Sequence, residues 1–159
     1  MPVEVLVAGN EKKTTGGVIL GNPPKVILAS AALTLTADDH MATVCFNAAA
    51  GFTVTLPTPA PGLRFDFQVT VTATSSAHKI LTPASTFMLG HFIQSTDGTF
   101  VTAAHAANGT TIRAWSGNGS TTGGIIGDYV RLIGISATQY LVWGYGSATG
   151  TEATPFATS

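Results

Sequence analysis

Phe65-Asp-Phe-Gln-Val-Thr-Val-Thr72 alternates apolar and polar residues without a break. A β-strand sends successive side chains to opposite faces. The pattern therefore puts Phe65, Phe67, Val69 and Val71 on one side and Asp66, Gln68, Thr70 and Thr72 on the other. Leu33-Thr-Leu-Thr36 and Phe52-Thr-Val-Thr-Leu56 repeat the period of two. Thr43–Asn47, Phe87–Ser95, Thr99–Ala103, Thr110–Ser116, Asp128–Ile135 and Gln139–Tyr145 are further strand candidates. Asp97-Gly98, Asn108-Gly109 and Asn118-Gly119 lie between them and tolerate the positive φ that tight hairpins need. Pro57-Thr-Pro-Ala-Pro-Gly62 reads as a stiff connector outside any sheet, because proline donates no ladder hydrogen bond. No window carries an uninterrupted helical stripe, and the good helix formers are scarce. These signals predict an all-β domain, an antiparallel β-sandwich or β-barrel. No repeat of fixed period is visible, which argues against a solenoid.

The first 30 residues differ. Met1–Pro24 is rich in Gly and Pro, with apolar pieces only at Val3–Val7 and Val18–Leu20. Such a segment cannot bury a core of its own. It reads as an extended arm whose Val3, Val5, Leu6, Val18, Ile19 and Leu20 anchor onto a partner by strand addition. The reading divides the chain into an arm (1–30), a β domain (31–146) and a C-terminal tail (147–159). The tail either hangs loose or lies along a neighbouring subunit.

The 159 residues suffice for one domain, and 45% of them are apolar. Only 9% are charged, against roughly 25% in an ordinary soluble domain. Small polar residues take the place of the missing charges: 25 Thr and 10 Ser, beside 18 Gly. Sparse surface charge favours association, so the composition predicts a surface largely covered by other protein. A net charge of −1 without a basic patch speaks against a nucleic-acid partner. No apolar run is long enough for a helix to span a bilayer, and the N-terminus does not resemble a secretory signal, so no membrane partner is expected. Cys45 is the single cysteine, so an internal disulfide is excluded.

Candidate chemistry is thin. Asp38-Asp39-His40 places two carboxylates beside an imidazole, the one arrangement that suggests a small hydrolase or a metal site. Adjacent strand residues diverge, so the three converge only if they sit on a loop. The plainer reading is an acidic turn with an Asp side chain capping backbone N–H groups. The four histidines show no ligand spacing, and Cys45 has no cation nearby to lower its thiol pKa. Gly117–Gly124 lacks the Gly-Lys-Ser/Thr ending of a phosphate loop and reads as a surface hairpin. No catalytic, cofactor-binding or metal-binding residue is assigned, and no cofactor is expected. Trp115, Trp143 and Tyr145 are the candidates for a trimer contact or for a glycan platform, where exposed rings would stack on sugars.

The segment Leu33–Val71 carries a turn at Asp38-Asp-His40, the strand Phe52-Thr-Val-Thr-Leu-Pro57 and the start Gly62-Leu-Arg-Phe-Asp-Phe67. With Gly127-Asp-Tyr-Val-Arg-Leu-Ile133 and Gln139-Tyr-Leu-Val-Trp-Gly144, it resembles a β module of tailed-bacteriophage structural proteins, among them head decoration (cement) proteins, head fibres and tail-associated proteins. The chain departs from that pattern at Met41, where a glycine is usual. The resemblance implies a sandwich or barrel of the β-tulip or jelly-roll kind. It also implies a non-enzymatic decoration protein, made in the host cytoplasm and bound to the outer surface of the virion capsid. Its partners would be the major capsid protein and two further copies in a homotrimer. A receptor- or carbohydrate-binding module of a tail fibre or baseplate is the alternative.

Overall fold

The computed structural model describes residues 25–96 and 102–159, together with the backbone of four short strands nearer the N-terminus. Those four are β1 (Val5–Val7), β2 (Asn10–Lys12), β3 (Thr14–Thr15) and β4 (Val18–Ile19), paired antiparallel as β1–β2 and β3–β4. The side chains of the six proposed arm anchors lie outside the described residues, as does the Asp97-Gly98 turn.

The remaining strands are β5 (Val26–Ala29), β6 (Leu33–Thr34), β7 (Thr43–Phe46), β8 (Thr53–Thr55), β9 (Arg64–Val69) and β10 (His78–Leu81). After them come β11 (Phe87–Thr96), β12 (Thr102–Asn108), β13 (Ala114–Gly117), β14 (Tyr129–Gly134), β15 (Gln139–Ala148) and β16 (Phe156–Ala157). They form a seven-stranded sheet, β12-β11-β15-β14-β9-β7-β5, and a five-stranded sheet, β16-β13-β10-β8-β6. The fold is all-β and sandwich-like, as the alternation predicts.

The expected antiparallel pairing is corrected: the sheets are mixed. From β5 to β10 the chain passes alternately from one sheet to the other, so each return lays a strand parallel to its predecessor. β5–β7–β9 are parallel in the larger sheet and β6–β8–β10 in the smaller. A parallel pair needs a long crossover, and here the crossover is itself a strand of the opposite sheet. Val26 pairs with Thr43, and Thr43 with Asp66, so successive windings advance by 17 and 23 residues. This coil carries no sequence repeat because its turns are unequal. The second half returns to antiparallel hairpins, β11–β12 and β14–β15, joined by the long parallel pair β11–β15.

The core lies between the sheets. Phe46, Phe65, Phe67, Met88, Phe92, Leu132, Tyr140 and Val142 point inward from the larger sheet and meet Val54, Ile80, Trp115 and Phe156 of the smaller. The Phe92 and Trp115 rings touch across the layers, with centroids 5.5 Å apart. Small residues make room for large ones here. A Cβ on Gly146 would stand 2.7 Å from the Phe92 ring and from the Asp128 carboxylate. Asp128, 1% exposed, accepts hydrogen bonds from the backbone N–H groups of Gly124, Ile125 and Ser147 and so ties the Gly-rich loop to β15.

Two chain segments depart from expectation. The C-terminal residues are not a loose tail: β15 runs through Ala148, and β16 pairs antiparallel with β13, burying Pro155 and Phe156. An apolar Phe with a free sheet edge nearby gains more from docking at home than from solvent. Met41, the departure from the glycine-bearing turn, adopts φ 66° and donates its N–H to the Arg64 carbonyl at 2.8 Å. The turn thus keeps the left-handed geometry that glycine takes more cheaply.

Candidate interaction surface

Alternation gives the seven-stranded sheet an outer face as well as an inner one. On β15, Tyr140, Val142 and Gly144 are buried while Leu141, Trp143 and Tyr145 are exposed. On β11, Met88 and Phe92 go inward while Leu89, His91 and Ile93 go out. The ladder register joins these residues into rows that cross the whole sheet. One row is Val26, Thr43, Asp66, Arg131, Trp143, His91 and Ala106. The next is Leu28, Cys45, Gln68, Tyr129, Tyr145, Ile93 and Ala104. A third holds Arg64, Ile133, Leu141 and Leu89. Leu28 is 67% exposed, Val26 60%, Tyr145 58%, Ile93 50% and Trp143 44%. Soluble monomers rarely leave so many large apolar side chains on one face, and such a face marks an interaction surface.

A polar knot sits at its centre. Asp66 Oδ2 accepts from Arg64 Nε at 3.1 Å and Nη2 at 2.7 Å; Oδ1 accepts from the Tyr129 hydroxyl and from Arg131 Nε at 2.5 Å. Burial works to raise the Asp66 pKa, but the hydrogen bonds from Arg131, Tyr129 and Arg64 outweigh it and hold the carboxyl below its ordinary range. Burial, with the bond to Asp66, pushes the Tyr129 phenol up to about 12. The Arg131 guanidinium lies 5.4 Å from the Trp143 ring centroid and 5.6 Å from that of Tyr129, within cation–π range. Tyr129 in turn contacts Trp143 and Tyr145, with ring centroids 6.0 Å apart in each pair. Two guanidiniums against one carboxylate leave one positive charge in excess.

The sequence candidates distribute unequally over this geometry. Trp143 and Tyr145 stand together on the outer face. Trp115 does not join them: it is fully buried against Phe92, so its assignment as a trimer or glycan contact is corrected to a core role. The alternation of Ala114–Gly117 did not reveal which face β13 would turn inward. Cys45 is buried, and burial raises its thiol pKa. Asp38-Asp39-His40 forms the acidic turn. Asp39 Oδ2 accepts from the Thr36 N–H at 2.8 Å and Asp39 pairs with Lys25, while His40 Nδ1 accepts from the Arg64 N–H at 3.1 Å. Those contacts point Asp39 and His40 at different partners. His40 borders an open depression with Ala60, Pro61 and Leu63, which neither aspartate lines. Gly117–Gly124 is a loop closed by Asn118, whose side-chain oxygen accepts from the Ser120 and Thr122 N–H groups. Asn108 does the same for Thr110 and Thr111. A cleft of about 260 Å³ between Ser95, Ile125, Ser147 and Thr149 lies beyond the Tyr145 row, since Ser95 and Ser147 pair two residues past Ile93 and Tyr145. Among the described residues no three His, Cys, Asp or Glu side chains gather as a metal site, and no helix is long and apolar enough to cross a membrane.

Sequence reasoning missed Arg64, Asp66 and Arg131 as a unit, and Val26, Leu28, Leu89 and Ile93 as its surround. The alternation of Phe65–Thr72 did place Asp66 on the polar face. Only the strand order brings Arg131 beside it. No protein-family model, curated protein or solved structure matches the chain.

Proposed function

We propose that this chain is a non-enzymatic structural protein of a tailed-bacteriophage virion, a capsid decoration protein that binds the outside of the head as a homotrimer and stabilises the shell. The supporting observation is the outer face of the seven-stranded sheet, an apolar and aromatic surface on a domain too poor in charge to keep it apart from other proteins. A decoration protein stabilises a shell because it binds the assembled lattice and not its separated subunits, so its binding free energy adds to the lattice's own. Three copies acting together multiply the effect through effective concentration. The N-terminal arm, in which Val5–Val7 and Val18–Ile19 are already paired with β2 and β3, supplies strand-adding contacts along their other edges through Val3, Val5, Leu6, Val18, Ile19 and Leu20. The test removes residues 1–24 and measures occupancy on expanded heads and the temperature at which those heads disrupt. Reduced occupancy with a lower disruption temperature is expected. Full occupancy without the arm removes the arm from the proposal, and failure of the intact chain to bind heads removes the proposal.

The exposure of Trp143 and Tyr145 favours one second reading, a receptor- or carbohydrate-binding module of a tail fibre or baseplate. Glycan-array binding that disappears in Trp143→Ala would select it.

A further inference from the structure

We propose that the outer face of the seven-stranded sheet is the surface that meets the capsid protein, and that Arg131, held against the rings of Trp143 and Tyr129, takes a carboxylate side chain of that protein on its open edge. The inference rests on the decoration reading and specifies its contact. Both Asp66 oxygens are occupied, by Arg64 on one and by Tyr129 and Arg131 on the other. The Asp66 carboxylate therefore has no acceptor to offer. Arg131 spends its Nε–H on Asp66, and a guanidinium carries five N–H donors, so its terminal amino groups retain donor capacity. The excess charge of the knot is positive. An incoming group must accept hydrogen bonds and carry negative charge, and a carboxylate matches a guanidinium edge in two parallel bonds. Asp66 and the two rings already fix the guanidinium, so little conformational freedom remains to be lost on binding.

The surround indicates a protein rather than a saccharide. Val26 lies four strands from Trp143 along one row, ~19 Å at ordinary strand spacing. Val26, Leu28, Leu89, Ile93 and Leu141 are aliphatic and present no ring on which a sugar stacks. A central Arg, Trp and Tyr cluster rimmed by aliphatic contacts that exclude water is the arrangement of a protein hot spot. A second copy docking face to face would set the excess positive charge of one knot against that of the other, which disfavours it.

The experiment titrates expanded heads lacking this protein with the full chain and with Arg131→Gln, Arg131→Lys, Trp143→Ala and Ile126→Ser. Thermal melts establish that each variant is folded. The wild type and Ile126→Ser, whose exposed side chain lies outside the three rows, should bind alike. Arg131→Gln and Trp143→Ala should each bind at least ~10-fold more weakly, with Arg131→Lys between, because a lysine lacks the two-pronged edge. Affinity should fall with added salt less steeply for Arg131→Gln than for the wild type. If Arg131→Gln does not fold, Trp143→Ala carries the test of the face. Wild-type binding that both variants retain overturns this contact and leaves the decoration reading standing. Failure of the wild type to bind heads overturns both. An array of sialylated and uronate-bearing glycans is the third arm: capture of the wild type that Arg131→Gln abolishes, with head binding unchanged, overturns the contact in favour of an acidic glycan.

Discussion

A carboxylate on the outer side of a sheet ordinarily stays ionised because water solvates it. Asp66 is 7% exposed and stays ionised because two guanidiniums and a phenol replace that water. Asp66→Asn would leave Arg64 and Arg131 facing each other without their counter-charge. A cost of about 1–3 kcal/mol is expected, below that of a fully buried pair because both arginines reach solvent. Urea unfolding measures it, and a change under ~0.5 kcal/mol would contradict the account. The sign of its pH dependence follows from the lowered pKa. The contribution is present above about pH 4, the unfolded carboxyl range, and is lost as pH falls through the depressed folded value.

His78 titrates at a different pH. It is fully buried, stacked on Phe46 with centroids 4.7 Å apart, and its Nε2 meets the Val71 carbonyl at 3.0 Å. Burial lowers its pKa, partly opposed by that hydrogen bond. At pH above the unfolded value of about 6.5, neither state holds the proton. As pH falls below it the unfolded chain protonates and the folded chain resists, so stability declines. Thermal melts at pH 7 and pH 5 should therefore differ for the wild type and differ less for His78→Gln, whatever its absolute stability. Equal declines in the two proteins would show that His78 is not the source. None of this was legible from residue identities. His78 looks like any surface histidine until Phe46 and Phe52 close over it.

Strands were legible as elements and their partners were not. A period of two marks which residues share a face, and the burial of Phe65, Phe67 and Val69 follows it residue by residue. It carries no information on direction, so the parallel coil of β5–β10 lay beyond it: unequal windings leave no repeat, and a hairpin turn is the only local sign of pairing. The site shows the same division. Trp143 and Tyr145 share a face by alternation within one strand, but Arg131 meets Asp66 only because β14 lies beside β9. Two substitutions test the pairings that sequence hid. Gly90 in β11 has φ +141°, and a Cβ there would stand 1.9 Å from the Val142 carbonyl oxygen of the parallel partner β15. Gly90→Ala should cost more than about 3 kcal/mol or prevent folding, since neither backbone can withdraw without breaking the ladder. Phe156→Ala, in the strand first read as a tail, should cost about 2–4 kcal/mol through the cavity it leaves beside β13. A truly loose C-terminus would tolerate it within ~0.5 kcal/mol in the same unfolding assay.

At the scale of the molecule, few charges and a wide apolar face act together. Of 15 Lys, Arg, Asp and Glu residues, five are engaged in the three described ion pairs, which leaves few ions to keep copies apart. On its own the chain should self-associate through whatever apolar surface is open; the rows around Trp143 are the largest such surface described, and they would meet a different face of the second copy, because face to face the two positive knots oppose each other. Leu89→Lys combined with Ile93→Lys adds two charges to that face without touching the core or the rings beside Arg131, since both side chains point outward from β11. Its unfolding free energy should stay within about 1 kcal/mol of the wild type, and light scattering should register association only at higher protein concentration. Unchanged association would mean that another surface brings the copies together, such as β5 and β12, the outermost strands of the larger sheet among the described residues, since a sheet edge is a template for strand addition. The two causes separate further by salt. Added sulfate strengthens association through an apolar face by exclusion from it, whereas main-chain pairing at an edge depends far less on the salt.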